Sequence, residues 1–181
     1  MPSYGRAWAQ TSNTPFRKYK CRAYEGGIAA PLIVSWKGAL GNKHGEWCRV
    51  PGYLPDIMPT ILEATGARYP KTYHGGNAIY PLVGTSLFPA INKKVDSLHE
   101  YMYWEHQNNR AIRWGNWKAV RDEKGTEWEL YDVVNDRTER SNVADQHPDV
   151  MKKLIGEWEQ WAYANFVLPK HPDKEEKGGK K

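Results

Sequence analysis

The chain has 181 residues, 40% hydrophobic and 13% aromatic, a composition that argues for a packed core and against disorder. Its net charge is +5 at pH 7, yet no basic run with interleaved aromatics is present, so a nucleic-acid partner is not expected. No stretch is long and apolar enough for a membrane span.

Residues 1–27 read as loop, with Tyr4, Trp8, Phe16, Tyr19 and Tyr24 scattered at no helical or strand period. A loop this long is functional or packed against something. Pro31 to Trp36 is a short apolar, β-branched run that predicts a buried strand. Glycines and prolines make residues 37–52 loop. Asp56 to Thr65 predicts a helix. Asp56 is placed to cap its first turn, Pro59 lies early enough to be tolerated, and Gly66 suits a left-handed C-terminal cap.

Residues 67–97 are again rich in loop signals. Four strands follow, over Tyr101–Glu105, Arg110–Trp114, Trp117–Arg121 and Trp128–Tyr131. Gly115-Asn116 between two of them is a two-residue hairpin signal. Strands this close in sequence make an antiparallel meander. A helix starts near Pro148, and Val150, Leu154 and Trp158, with Met151 and Ile155, form an apolar stripe that should cover one sheet face. Residues 169–181 carry five of the lysines and are expected to be a disordered tail. Cys21 and Cys48 read as two unpaired thiols.

Several segments resemble one family in the right order. They are Lys20-Cys21-Arg22-Ala23-Tyr24-Glu25-Gly26-Gly27, the Asp56-to-Gly66 helix, Leu82 to Ile91, Asn108 to Lys118 with Trp128 to Asp132, and Asn142 to Pro148. Together they resemble the C-terminal half of a sulfatase of the arylsulfatase type, over roughly residues 4–165. The resemblance implies an α/β fold of the alkaline-phosphatase-like kind, here its C-terminal part. To this is added a small antiparallel four-stranded sheet with one covering helix.

By that resemblance Lys20, five residues before Glu25-Gly26-Gly27, contacts the substrate sulfate. Glu25, Gly26 and Gly27 shape the loop, Glu25 by accepting backbone or lysine hydrogen bonds. His106 sits at a strand end, where it either reaches the substrate pocket or serves as a hydrogen-bonded hairpin residue. Glu105 and Arg110 could pair across the sheet. Cys21 departs from members that carry histidine after the lysine. The family's nucleophile is a formylglycine made within a Cys/Ser-x-Pro-x-Arg signature, and its cation, Ca2+ or Mg2+, is held by an early Asp-Asp and a later Asp-Asn or Asp-His pair. Neither Cys21 nor Cys48 fits the signature, there is no Asp-Asp, and Asn135-Asp136 is reversed. The later metal pair is expected to precede Met1, in a missing N-terminal half, so this chain is expected to hold no metal and to be inactive alone.

The expected division is 1–95, the end of the α/β domain with the substrate-side loop; 96–168, the sheet and helix; and 169–181, the tail. The function implied is sulfuric ester hydrolysis, on a sulfated small molecule or glycan. The alternative is a non-catalytic binding module or an inactive gene fragment. A periplasmic or secreted location is implied by family habit alone.

Overall fold

The computed structural model describes residues 5–37, 40, 45–73, 75–125 and 127–168. The expected Lys-rich tail, His44, His74 and His171 lie outside these residues. A four-stranded antiparallel meander runs β1 (Tyr101–His106), β2 (Asn109–Trp114), β3 (Trp117–Arg121) and β4 (Glu129–Asp132), in sequence order. Register pairs Trp104 with Ala111, Ala111 with Val120, and Ala119 with Leu130. The first hairpin turns on Gln107 and Asn108, both left-handed at φ 49° and 67°. That conformation matches the twist of the strands it joins.

Alternation along the strands sorts the core into two faces. One face carries Ile112, Ala119 and Leu130, all buried against Leu154, Trp158 and Ala162 of α5 (Pro148–Ala164). This is the apolar stripe expected from the sequence, with Tyr103 stacked on Trp161 at 5.0 Å and 5°. Burial of each large side chain is worth about 1.5–3 kcal/mol before entropy is charged. The Trp158 indole N–H also donates to the Trp104 carbonyl at 3.1 Å. The opposite face carries Ala111, Val120 and Tyr131, and Ala23 and Tyr24 of the N-terminal loop close it. Helices and a four-stranded antiparallel sheet in one chain agree with the expected α/β class plus a small sheet.

The N-terminal stretch is less irregular than expected. It forms α1 (Arg6–Ser12) and a single helical turn, α2 (Glu25–Ile28). α1 buries no residue, so no apolar stripe announces it in the sequence. Residues 5–33 pack with 101–168 as one compact unit, and 34–100 form a second.

Pro31 to Trp36 is not the buried strand that its composition suggests. The segment has no regular secondary structure and joins no ladder among the described residues, and Ile33 is 88% exposed. An apolar β-branched run favours a strand; it does not supply the neighbouring strand that would bury it.

Within residues 34–100 a 3-10 turn, Leu54–Asp56, leads into α3 (Ile57–Thr65), and α4 spans Phe88–Ile91. Gly66 ends α3 at φ 70°, the left-handed cap expected. Asp56 does not cap the first turn of α3. Its fully buried carboxylate instead accepts the Tyr53 and Thr85 backbone N–H groups and meets His99 Nε2, each at 2.9 Å. Three stationary partners offset its desolvation better than one helix turn would.

Candidate functional site

The loop of residues 17–28 is held to the sheet by ionic and aromatic contacts. Gly26 and Gly27 let it fold back on itself. A Cβ on Gly26 would lie 2.5 Å from the Arg17 carbonyl oxygen, and one on Gly27 would meet that of Arg22 and lie 2.7 Å from that of Tyr19. Only glycine permits this approach. Glu25 then points inward, and its carboxylate accepts from Lys118 Nζ at 2.9 Å and Arg137 at 3.2 Å. The Glu25 N–H donates to Glu139 at 2.7 Å. Glu25 therefore anchors the loop by accepting lysine hydrogen bonds.

A second lock lies beside it. Tyr24 and Tyr131 each donate a phenolic O–H to Glu129 Oε2 at 2.6 Å, and Arg17 donates to the Tyr131 oxygen at 2.7 Å. Burial, and then the Glu129 carboxylate, push both phenols well above the usual tyrosine range. Arg17 also lies over the Tyr24 ring at 4.5 Å. Partial burial pulls its guanidinium down, but Tyr131, Tyr24 and Glu129 outweigh this and hold it above its ordinary value.

The third contact orients the cleft. Arg22 donates to Asn109 and Asp122 at 3.3 Å each and pairs with Glu123 at 2.8 Å. Asn109 is buried and donates in turn to the His106 and Gln107 carbonyls at 3.0 and 3.3 Å. One amide thus ties the loop to the β1–β2 turn. Between them lies a cleft of about 270 Å³ lined by Lys20, Cys21, Arg22, Trp104, His106 and Asn109. Lys20 and His106, 86 positions apart in the sequence, border the same space. Cys21 holds φ 75° and Lys18 φ 65°, so the backbone on either side of Tyr19-Lys20 is left-handed.

The expected Glu105–Arg110 ion pair does not form among the described residues. Glu105 accepts the Asn108 N–H at 3.0 Å, and Arg110 lies over the Trp158 ring at 4.8 Å. Adjacent register brings the two backbones together, but the side-chain partners are set by neighbouring faces. Among the described residues no group of three or more His, Cys, Asp or Glu could hold a metal ion. These residues do not fit a Ca2+ or Mg2+ centre, and neither cysteine fits a formylglycine precursor.

Four residues of this arrangement escape a reading of the sequence: Lys118, Glu139, Arg22 and Asn109. Lys118 had a signal. It alternates with Val120 in β3 and so shares that residue's buried face. The others meet across the loop over separations of 87 to 114 positions, which leave no local pattern.

The model of the family described as N-sulphoglucosamine sulphohydrolase, C-terminal, matches residues 16–162. An uncharacterized sulfatase of Schizosaccharomyces pombe is 35% identical over 162 residues, covering 86% of this chain and 28% of its own length. Arylsulfatase K of Danio rerio is 31% identical, covering 75% of this chain and 26% of its own. Steryl-sulfatase of Mus musculus is 32% identical, covering 60% and 16%. The chain thus spans little more than a quarter of the S. pombe relative's length. Among solved structures, Ps i-CgsB superposes with a TM-score of 0.47 and 25% identity over 60% of this chain and 23% of that one. A protein solved with its substrate D-glucosamine-2-N,6-O-disulfate superposes with a TM-score of 0.46 and 20% identity over 67% and 25%.

Proposed function

We infer the function from membership: the chain belongs to the N-sulphoglucosamine sulphohydrolase C-terminal family, and we propose that it forms the sulfate-contacting wall of a sulfuric ester hydrolase. The observation that carries this reading is the common cleft of Lys20 and His106 beside an anchored Glu25-Gly26-Gly27 turn. The substrate class is an aryl or carbohydrate sulfate.

In this reading Lys20 pairs with a sulfate oxygen. An ammonium is a compact point charge, and the pairing strengthens as the substrate displaces water from the cleft. The Trp104 ring supplies an apolar wall for the leaving group, and His106 a polar edge for hydrogen bonding. In this reading the nucleophile and the divalent cation come from the part of the relatives that this chain does not span. A formylglycine and a Ca2+ or Mg2+ there would supply the attack and the charge neutralisation, while Lys20 holds the sulfate.

The test joins this chain behind the preceding region of the S. pombe relative and measures hydrolysis of an aryl sulfate. Lys20→Ala should lower kcat/KM by roughly 10²–10³, the scale for removing one preorganised charge partner of a developing anion. Lys20→Arg should recover little, since a planar fork does not occupy the place of an ammonium. Lys152→Ala, on the exposed side of α5, should change the rate by less than about threefold. Equal effects of Lys20→Ala and Lys152→Ala would remove Lys20 from the site. The 181-residue chain by itself should show no turnover; turnover that survives repurification would contradict its role as one wall. A joined protein that still binds an aryl sulfate yet never turns over would favour the non-catalytic binding module.

A further inference from the structure

We propose that a second cleft, beside the Lys20 cleft, is an anion subsite that selects substrates bearing a further acidic group. The proposal rests on the sulfate-ester reading of the first cleft and adds a specificity determinant to it. The second cleft has a volume of about 440 Å³ and is lined by Arg6, Lys18, Tyr19, Arg22, Asp122 and Lys124. Arg22 borders both clefts, so they are neighbours across one side chain.

The charge balance of this cleft is uneven. Four of its lining residues are cationic and one is acidic. Asp122 is already engaged, with Arg22 at 3.3 Å and Lys18 at 3.9 Å. Glu123 takes a second contact with Arg22 at 2.8 Å. Arg6 and Lys124 make no ion pair among the described residues, and both are exposed at the cleft. Two cations therefore remain for a ligand, and Arg22 is held rigidly enough by its carboxylates to serve as a fixed wall.

The backbone supports the same assignment. Lys18 and Cys21 hold positive φ, a conformation that costs non-glycine residues free energy and persists only where surroundings enforce it. Its consequence is directional. Lys18 lines the second cleft while Lys20, two residues on, lines the first. The strained loop thus deals neighbouring lysines to two separate sites. Carboxylate and sulfate share the chemistry these cations recognise, and either could be carried by an adjacent residue of an acidic oligosaccharide.

The test measures binding to the 181-residue chain at low salt by titration calorimetry, with three probes. They are a monosaccharide monosulfate, a disaccharide with one sulfate and one carboxylate, and a disaccharide with two sulfates. The doubly charged probes should bind about five- to tenfold tighter, the scale of two exposed charge pairs, and lose that margin near 0.5 M salt. The surface variant Arg6→Ala/Lys124→Ala should abolish the margin. Comparison of the two disaccharides shows whether carboxylate or sulfate is the preferred second group. Equal affinity for all three probes, no binding of the doubly charged ones, or a margin that survives in the double variant overturns the subsite. If Lys20→Ala leaves monosulfate binding intact while the margin persists, the first cleft's assignment fails and the second stands.

Discussion

The Lys118 ammonium lies 2.7 Å from Glu139 Oε1, and neither side chain has any exposed surface. Glu25 completes the group at 2.9 Å from the same ammonium. Burial pushes the Glu139 carboxyl up, against the opposing pull of Lys118 and the Glu25 N–H. The pair joins β3, the loop and the segment after β4 at a single point.

Removing one partner strands a buried charge, so Lys118→Met should cost about 3–5 kcal/mol in urea unfolding. The double variant Lys118→Met/Glu139→Gln should recover part of that loss, because one of the two facing carboxylates is gone. A double variant no more stable than Lys118→Met would show that the charges are not coupled.

Gly27→Ala should displace residues 19–22, since the added methyl meets the Arg22 and Tyr19 carbonyl oxygens. Overpacking of this kind costs about 1–3 kcal/mol. Amide exchange should accelerate across residues 17–28 while β2 and β3 stay protected. Unchanged exchange in the loop would mean that the close approach is absent in solution.

Trp158→Ala should cost about 3–5 kcal/mol, the scale for deleting a buried large aromatic. The ring is fully buried, and its loss also leaves the Trp104 carbonyl without its donor. Circular dichroism melts of the variant test this, and a midpoint shift of only a degree or two would contradict the α5–sheet core.

Asp136 gives a pH dependence of known sign. Burial pushes its carboxyl up, but the Ser141 and Arg140 backbone N–H groups and the Thr138 hydroxyl outweigh it and hold the carboxyl below the ordinary value. A carboxyl lowered in the folded state contributes stability above its unfolded pKa and loses it as pH falls through its folded pKa. Asp136→Asn should therefore cost on the order of 1 kcal/mol at pH 7 and progressively less below about pH 4. A difference from wild type that stays constant down to pH 2 would exclude this role.

Local chemistry in the sequence determined the meander and its helix. Alternating strands, Gly115-Asn116, Pro148 and the Val150–Leu154–Trp158 stripe each act within a few positions, so their signals survive in one dimension. Tertiary structure alone decided that Glu25 meets Lys118 across 93 positions and that Asn109 fastens Arg22 across 87. It also decided that Lys20 and His106 share a cleft, and that Pro31 to Trp36 finds no ladder partner among the described residues. Propensity and periodicity describe what one segment prefers by itself. Buried charge pairs and clefts arise only when distant segments desolvate one another, and that free energy belongs to the pair.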